Sequence, residues 1–359
     1  MAGTLNLEAD VAELTRVICD IESVSGSEAA LADAIESALR KYPHLEVIRD
    51  GDAVVARTNQ NKGSRVVIAG HIDTVPVANN LPVQMLSMER EQVLYGRGTV
   101  DMKAGVAVQL KLAATIAEPN KDVTWIFYDH EEVESSKNGL GRLAKNHPDL
   151  LKASFAILCE PTSAQVEGGC NGTMRVELRF SGLKAHSARP WMGNNAIHAA
   201  ADALQILSTY VPEEVSVDGL VYRESLSAVL ISGGIATNVI PDQCTVSVNY
   251  RFAPSKSGSD AQAHLKEIFP GVEMVVVDVA EGARPGLDQP EAASFVAATK
   301  STPKPKYGWT DVARFSALGI PAVNFGPGDP SKAHADDEAV PVSQIYACES
   351  ALRAWLTVG

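Results

Sequence analysis

Histidine and carboxylate side chains stand where short apolar runs of this sequence end. His71 and Asp73 close the run VVIAG, and because side chains alternate along a strand, both point to the same side. Asp73 can therefore hydrogen-bond one ring nitrogen of His71 while the other nitrogen binds a metal ion. Similar positions, just beyond predicted strands or in glycine-rich loops, are taken by Asp101, Glu131, Glu132, Glu160 and His334. Imidazole nitrogens and carboxylate oxygens bind divalent metals, so the expected chemistry is metal-assisted.

The charges of this set indicate how its roles could be divided. Asp101, Glu132 and Glu160 carry three negative charges, which two Zn²⁺ ions and one bridging hydroxide would balance. Glu131 is then left free as a proton acceptor. On a straight strand the neighbours Glu131 and Glu132 would face opposite sides, so we expect the chain to leave strand geometry at this pair.

Several familiar motifs are absent from the sequence. It contains neither a GxxxxGK[ST] phosphate loop nor a GxSxG nucleophile elbow. The stretch GRG (96–98) begins like a dinucleotide-binding loop, but Asp101 replaces the third glycine, and its charge would repel a pyrophosphate. The stretch HEEVE (130–134) lacks the second histidine of HExxH. We expect the acidic run 336–338 to be a solvated loop or a helix start rather than a further metal site.

Composition disfavours several kinds of partner. The net charge of −13 argues against binding to nucleic acid or to an anionic membrane. No apolar run approaches the ~20 residues of a membrane span, and the N-terminus lacks the basic and apolar regions of a signal peptide. Five scattered cysteines predict neither a disulfide framework nor a CxxC zinc site. We therefore expect a cytoplasmic protein without nucleic-acid or membrane partners.

Alternating strand and helix patterns predict the elements that position these residues. Strands are predicted at 45–49, 54–57, 65–69, 123–128 and 155–159. Helices are predicted at 7–22, 104–117, 139–146 and 342–356, and a further helix carries the apolar residues Leu31, Ile35 and Leu39 on one face. This alternation is typical of an α/β fold with a mixed, mostly parallel sheet flanked by helices, in which function gathers at the carboxyl ends of the strands. The predicted domain comprises residues 1–173 and 286–359.

The middle of the chain, residues 174–285, follows another pattern. Apolar and polar residues alternate at 174–180 and 246–252, which is typical of antiparallel strands with one wet face. The other predicted elements are strands at 228–231 and 272–279 and helices at 195–210 and 260–268. The order β-α-β-β-α-β predicts an inserted α+β domain of split-βαβ, ferredoxin-like topology. Pairing of its edge strand across a two-fold axis would form a homodimer.

Seven segments, in order along essentially the whole chain, resemble the M20 family of metallopeptidases and deacylases. They are GHIDTVP (70–76), YGRGTVDMKAG (95–105), DHEEVE (129–134), CEPT (159–162), AHSARPWMGNNAIH (185–198), TNVIPDQCTVSVNYRF (237–252) and GPGDPSKAHADDE (326–338). Segment 308–330, GWTDVARFSALGIPAVNFGPGDP, most resembles actinobacterial members that remove succinate from N-succinyl-LL-2,6-diaminopimelate. The resemblance implies a catalytic domain like that of zinc aminopeptidases and carboxypeptidases. The expected reaction hydrolyses a small anionic amide to LL-2,6-diaminopimelate, on the route to lysine and peptidoglycan.

The resemblance also implies which residues hold metal. His71 and Glu160 would hold one zinc ion. Glu132 and His334 would hold the other, and Asp101 would bridge the two. Co²⁺ could replace Zn²⁺ in both positions.

Further roles follow from the same resemblance. Glu131 would be the general base and acid, and Asp73 would orient His71. His186, in the inserted domain, would reach the active site of the other subunit of a homodimer and stabilise the oxyanion.

Four residues are candidates for binding the substrate's carboxylates. Arg251 lies on the polar face of its predicted strand, and an arginine fork binds a carboxylate through two hydrogen bonds. Arg251 with Asn238 is the first choice, and Thr310 with Arg314 is the second.

Other activities stay open from the sequence alone. An acetylornithine deacetylase, an aminoacylase or a dipeptidase would share the metal residues, which therefore do not discriminate among them. Segment 308–330 and the arginines favour desuccinylation. A non-catalytic metal-binding relative would be expected to lack a ligand or the base, and this sequence has all of them.

Overall fold

The computed structural model describes residues 5–88 and 91–358. Its helices are α1 (Val11–Cys19), α2 (Ala29–Leu39), α3 (Lys103–Thr115), α4 (Gly139–Asn146), α5 (Pro148–Leu151), α6 (Ala196–Ala199), α7 (Ala201–Thr209), α8 (Gly258–Ile268), α9 (Pro290–Thr299), α10 (Val312–Ala317) and α11 (Val342–Thr357). Its strands are β1 (Glu46–Asp50), β2 (Ala53–Arg57), β3 (Arg65–His71), β4 (Gln84–Met88), β5 (Glu91–Tyr95), β6 (Asp122–Tyr128), β7 (Phe155–Leu158), β8 (Glu167–Gly168), β9 (Gly172–Ser181), β10 (Ala185–His186), β11 (Glu214–Val217), β12 (Leu220–Arg223), β13 (Ser225–Gly233), β14 (Val239–Ile240), β15 (Gln243–Phe252), β16 (Glu273–Ala280), β17 (Lys304–Pro305), β18 (Ala322–Asn324) and β19 (Ala339–Pro341).

The described residues form two compact units. The first contains the residues up to Gly168, Gly286–Lys304 and those from Arg314 onward, and the second contains Gly169–Pro285 and Pro305–Ala313. The predicted boundaries place 305–313 in the first domain, whereas this segment packs with the second unit. One contact that holds it there is the hydrogen bond from the Asn171 amide to the carbonyl oxygen of Lys306, at 3.2 Å.

The first unit is built on an eight-stranded sheet in the order β1-β2-β6-β3-β7-β18-β8-β17. Its central strands β6, β3, β7 and β18 run parallel to one another, while β1, β2 and β8 pair antiparallel. The strands β3, β6 and β7 are buried almost throughout, as expected for strands covered on both faces. The predicted α/β fold with a mixed sheet is confirmed.

The parallel arrangement brings three strand ends to one edge of this sheet. His71, the last residue of β3, pairs with Tyr128, the last residue of β6, and β7 ends at Leu158 on the other side of β3. Helix α3 covers these strands and is buried along nearly its whole length. At Gly105, in its first turn, a Cβ atom would overlap the carbonyl oxygen of Cys159, so only glycine allows the helix to come this close.

A three-stranded antiparallel sheet in the order β19-β5-β4 also belongs to the first unit, and the sequence pattern does not predict it. Strand β5 ends at Tyr95, just before the turn that leads to Asp101, and β19 follows the segment that carries His334. Ala339 of β19 pairs with Tyr95. This pairing holds the segments of Asp101 and His334 side by side.

The second unit contains a four-stranded antiparallel sheet in the order β13-β15-β9-β16. Alternate residues of its strands pack with α6, α7 and α8 in one hydrophobic core. With the chain order β9, α6–α7, β13, β15, α8 and β16, this is the split-βαβ topology that the sequence predicts. The single helix predicted at 195–210 is instead two helices, α6 and α7, which meet at Ala200.

The first helix is shorter than the predicted range 7–22. Asp10 accepts hydrogen bonds from the amides of Ala12 and Glu13, and this cap sets the start of α1 at Val11. Among residues 5–88 and 91–358, no helix has the length and apolar character needed to cross a membrane.

Candidate active site

The candidate ligands of the first unit lie at the ends of neighbouring strands. His71 ends β3, Glu131 and Glu132 follow β6, and Glu160 follows β7. Because β6, β3 and β7 are parallel neighbours, these side chains share one edge of the sheet. The sequence prediction that they gather there matches their placement.

Asp101 lies between the two candidate histidines. Its Oδ1 is 3.1 Å from Nε2 of His71, and its Oδ2 is 3.3 Å from Nε2 of His334. Nε2 of His334 is also 2.9 Å from Oε2 of Glu132, and Nε2 of His71 is 4.0 Å from Oε1 of Glu160. The carboxylate of Asp101 therefore belongs to two groups, each with its own histidine and glutamate.

Each group could hold one metal ion. Ligand atoms of His71, Asp101 and Glu160 lie within 4.8 Å of one another, and so do those of Asp101, Glu132 and His334. One histidine with two carboxylates is a donor set that suits Zn²⁺ and similar divalent ions. The residues present thus fit a pair of metal positions that share Asp101.

The electrostatics of the cluster favour positive charge at both histidines. Burial alone would lower the pKa of His71, but the carboxylates of Asp101 and Asp73 outweigh it and raise this pKa well above its usual range. Hydrogen bonds to Asp101 and Glu132 raise the pKa of His334 to about 10. The carboxylates of the cluster raise both pKa values. The same negative charge would favour the binding of divalent cations.

Asp73 contacts the ring of His71 on the nitrogen that faces away from Asp101. Nδ1 of His71 lies 3.0 Å from the backbone oxygen of Asp73 and 3.4 Å from its Oδ1. In the neutral ring the proton therefore sits on Nδ1, which leaves Nε2 to bind a metal ion.

The chain leaves strand geometry at the glutamate pair. His130 takes a left-handed backbone conformation with φ of 58°, and the amides of Glu131 and Glu132 then both donate to the carboxylate of Asp73 at 3.1 Å. Carboxylate oxygens of Glu131 and Glu132 come within 4.8 Å of each other and of a ring nitrogen of His71. Both glutamates thus face the same cluster, although they are neighbours in sequence.

His186 and Asn238 lie side by side in the second unit. His186 pairs with Val239, and the amide of Ser187 donates to the carbonyl oxygen of Asn238 at 2.9 Å. Nδ1 of His186 accepts a hydrogen bond from the amide of Ala188 at 3.0 Å. The neutral ring therefore carries its proton on Nε2, on an exposed side chain, and this form can donate to an oxyanion.

Arg251 lies on the polar face of the four-stranded sheet, opposite Thr173 on one side and Ser225 on the other. It is half-buried, and burial lowers the pKa of its guanidinium. Within the described part of the chain, no acidic side chain comes within 4.0 Å of this cation. A half-buried guanidinium without a carboxylate partner suits an anionic ligand.

Thr310 and Arg314 fall in different units. Thr310 belongs to the second unit and is only 5% exposed. Arg314 belongs to the first unit, where it donates to Oγ of Ser135 at 2.9 Å, shortly after the glutamate pair in the chain. Arg314 therefore lies in the unit that holds the metal cluster, and Thr310 lies in the unit that holds Arg251.

Comparison with known proteins identifies the family. The family described as Peptidase family M20/M25/M40 matches residues 67–357. The chain belongs to the M20 family. A succinyl-diaminopimelate desuccinylase of Corynebacterium glutamicum is 45% identical over 364 residues, covering 98% of each chain. A protein of Mycobacterium tuberculosis (strain H37Rv) named for the same activity is 51% identical over 355 residues, covering 98% of this chain and 99% of its own.

Solved structures share the M20 fold at low sequence identity. An M20 family metallo-carboxypeptidase from Sulfolobus solfataricus superimposes with a TM-score of 0.75 at 17% identity, covering 97% of this chain and 98% of its own. A tripeptidase from Staphylococcus aureus gives a TM-score of 0.76 at 20% identity and covers 99% of both chains. The resemblance seen in the sequence is confirmed. M20 peptidases depend on metal ions, and this chain has candidate ligand clusters for them.

The sequence interpretation missed one residue of this M20 site. The run 336–338 was expected to be solvated, which is wrong for Glu338, because its side chain is fully buried. Its carboxylate accepts hydrogen bonds from the amides of Val100 and Asp101. The local sequence gives no signal of this burial, because the strand β19 that follows Glu338 is itself not predicted from the sequence pattern.

Proposed function

We propose that this chain hydrolyses the amide bond of N-succinyl-LL-2,6-diaminopimelate, releasing succinate and LL-2,6-diaminopimelate. Relatives that are 45% and 51% identical over nearly their whole length are named for this activity. The observation that carries the chemistry is the placement of Asp101, with one carboxylate oxygen at each of two histidines.

The proposal assigns two divalent ions to the cluster, Zn²⁺ with Co²⁺ as a substitute. His71 and Glu160 would hold one ion. Glu132 and His334 would hold the other, and Asp101 would contact both. When bound, such ions polarise an amide carbonyl and make a water molecule more acidic.

Glu131 acts first as a base and then as an acid. Its carboxylate accepts a proton from the water that attacks the amide carbon, and it returns the proton to the nitrogen as the C–N bond breaks. Proton transfer of this kind contributes about 10²–10⁴-fold to the rate. Asp73 orients this base, because its carboxylate holds the Glu131 amide at 3.1 Å.

His186 supplies a hydrogen bond to the carbonyl oxygen as negative charge develops on it. The proton on Nε2 is available because Nδ1 already accepts the Ala188 amide. Loss of one such donor typically costs about 10²–10³ in rate. In this proposal the His186 that serves each site comes from the other subunit of a homodimer.

Arg251 is the first candidate for a substrate carboxylate. It offers a planar fork that matches the carboxylate geometry, and no carboxylate of the described chain occupies it. Asn238 would assist it from the same unit, through its exposed side-chain amide. Thr310 and Arg314 are the second pair of candidates.

The homodimer would form through the second unit. Strand β13 lies at the edge of its sheet, where Val229, Leu230 and Ile231 are 55%, 65% and 52% exposed. An exposed apolar edge strand is prone to pair with another strand, and a second copy offers the same edge across a two-fold axis. In analytical ultracentrifugation, Leu230→Asp should therefore yield a monomer. Val277→Asp, on the opposite edge strand, should leave a dimer; a monomeric wild-type protein would overturn this part.

We place the reaction in the cytoplasm. All five cysteines are free and buried, as expected for a protein of a reducing compartment. The substrate is a small anionic molecule, and neither nucleic acid nor a membrane takes part in the proposal.

The test compares three substrates after metal has been stripped and Zn²⁺ titrated back. Succinate release from N-succinyl-LL-2,6-diaminopimelate should greatly exceed acetate release from N-acetylornithine and hydrolysis of a dipeptide. Activity should rise over the first two equivalents of metal. Zinc-dependent activity on the acetyl or peptide substrate alone would overturn the substrate assignment but keep the metal site.

A further inference from the structure

The acidic run 336–338 is divided between solvent and interior. The side chains of Asp336 and Asp337 are 87% and 68% exposed, whereas that of Glu338 is 1% exposed. A carboxylate without solvent must be compensated by donors or by a cation. The hydrogen-bond partners of Glu338 therefore indicate the role of its buried carboxylate.

Glu338 binds the backbone that carries Asp101. Its Oε1 accepts the amide of Val100 at 2.8 Å and the amide of Asp101 at 3.0 Å. Its own carbonyl oxygen accepts the amide of Gly96 at 3.0 Å. The turn that leads to Asp101 is thus fastened to Glu338 at both of its ends.

Arg97 completes the arrangement. Its Nη1 donates to Oε2 of Glu338 at 2.9 Å and to the carbonyl oxygen of Ala335 at 3.1 Å. Its Nε donates to the carbonyl oxygen of Pro76 at 3.1 Å. Because Ala335 directly follows His334, this buried ion pair links the segments of two candidate ligands, Asp101 and His334.

We propose that Glu338 is a positioning residue that fixes Asp101 between the two histidines and ties the His334 segment to it. The proposal rests on the proposed metal-dependent hydrolysis. Glu338 touches neither histidine ring in this role and acts through the backbone of Asp101. Without it, the backbone that carries the shared carboxylate of Asp101 would lose the two hydrogen bonds that set its place.

The replacement Glu338→Gln tests this with little change of shape. A glutamine has one acceptor oxygen, so it cannot serve both the two amides and the guanidinium of Arg97. Substitution of a residue that hydrogen-bonds a metal ligand typically lowers metal affinity or activity by about 10–100-fold. We expect Zn²⁺ affinity, measured by calorimetry on metal-free protein, to fall about 10–100-fold. The rate constant kcat should fall at fixed zinc, while KM stays unchanged.

Asp337→Asn is the matched control. It removes the same charge from the preceding position, where the carboxylate pairs with Lys332 at the surface, so zinc affinity and kcat should stay at the wild-type values. The absorption spectrum of bound Co²⁺ should change in Glu338→Gln and not in Asp337→Asn. Wild-type zinc affinity and an unchanged cobalt spectrum in a folded Glu338→Gln protein would overturn the proposal.

Glu338→Asp covers the case in which the glutamine variant does not fold. It keeps the charge that Arg97 needs but shortens the reach to the amides of Val100 and Asp101. Hydrogen exchange of the peptide that spans these amides should be slow in wild-type protein and faster in Glu338→Asp; equal exchange would overturn the proposal. Wild-type protein that binds zinc and hydrolyses none of the substrates would instead overturn the proposed function alone.

Discussion

Oδ2 of Asp73 accepts the backbone amide of Glu132 at 3.1 Å. The same carboxylate accepts the amide of Glu131 through Oδ1 and lies 3.4 Å from Nδ1 of His71. One buried side chain thus fixes the proposed base and a candidate ligand of each metal group. Although burial opposes ionisation of Asp73, its hydrogen bond to His71 lowers its pKa to about 2. The carboxylate is therefore ionised throughout the working range of an enzyme.

The replacement Asp73→Asn should weaken metal binding and activity together. An amide group would turn its NH₂ toward backbone amides that are themselves donors, so the loop of Glu131 and Glu132 would shift. We expect kcat/KM to fall about 10–100-fold and zinc affinity to fall with it. Calorimetry and initial rates would measure both. Ser25→Ala, which removes only the 2.6 Å hydrogen bond to Oδ2, should have a smaller effect, and an equal one would contradict this account.

The replacement Glu131→Gln should abolish proton transfer and leave the metal in place. Glutamine keeps the size of the side chain but cannot accept the proton from water. We expect kcat to fall about 10²–10⁴-fold, with two ions still bound by metal analysis. Near wild-type turnover with intact metal would remove Glu131 as the base. Glu134→Gln, three residues on and exposed, is the control and should be fully active.

The sequence predicts much of the site because strand ends are visible in it. Three apolar runs locate the parallel strands: one ends at His71, one before Glu131 and one before Glu160. Because neighbouring parallel strands end at the same edge of a sheet, these residues come together. The burial of Glu338 was not predictable, because an acidic run is usually solvated and its partners lie far away in sequence. Strand β19 has three residues and pairs with a strand more than 200 positions earlier, which no local pattern shows.

The second unit also shows that local sequence patterns predict strands but not contacts between distant segments. Period-two alternation locates β9 and β15, and the register between them follows, since Val176 pairs with Val248. The segment 305–313 belongs to this unit through contacts such as that of Asn171 with Lys306. Such contacts join positions more than 100 residues apart, so a local sequence pattern does not show them. The boundary predicted at 286 therefore leaves 305–313 in the wrong unit.

The replacement Arg251→Met should weaken recognition of the substrate's carboxylate. Hydrogen bonds to charged groups contribute about 1.5–3 kcal/mol, so kcat/KM for the succinyl substrate should fall about 10–100-fold, mainly through KM. Arg179→Met, an exposed arginine of the same sheet paired with Glu177 at 2.8 Å, is the matched control. Steady-state kinetics of both variants decide the matter. An unchanged KM in Arg251→Met would exclude Arg251 from the substrate site.

Asp122 gives the fold a defined pH dependence. It begins β6 and accepts hydrogen bonds from the amides of Gln60 and Lys62 and from Oγ1 of Thr58. Burial opposes ionisation, but these donors lower the pKa of Asp122 below its usual value. Because the folded pKa is the lower one, the stabilisation is complete above the unfolded pKa of about 4 and is lost as pH falls through the folded pKa.

The replacement Asp122→Asn should therefore cost more at neutral pH than in acid. We expect the free energy of unfolding to drop by about 1–3 kcal/mol at pH 7, and the difference from wild type to narrow toward pH 3. Denaturant titrations at both pH values would measure it. A difference that grows on acidification would contradict the sign. Asp149→Asn, at an exposed position, should change little at either pH.

Asp101 is the residue whose loss should affect both metal positions, because one of its oxygens faces each histidine. A ligand that binds only the folded protein at 100 times its Kd adds about 2.7 kcal/mol of stability. Added Zn²⁺ should therefore raise the melting temperature of metal-free wild-type protein.

In His334→Gln one metal position remains, so the variant should keep part of the rise in melting temperature and bind one equivalent of zinc. In Asp101→Asn both groups lose their common carboxylate, so the rise should vanish and zinc content after dialysis should fall toward zero. If Asp101→Asn keeps one ion at wild-type affinity, the carboxylate is not shared, and each position would have to be built from its own histidine and glutamate alone.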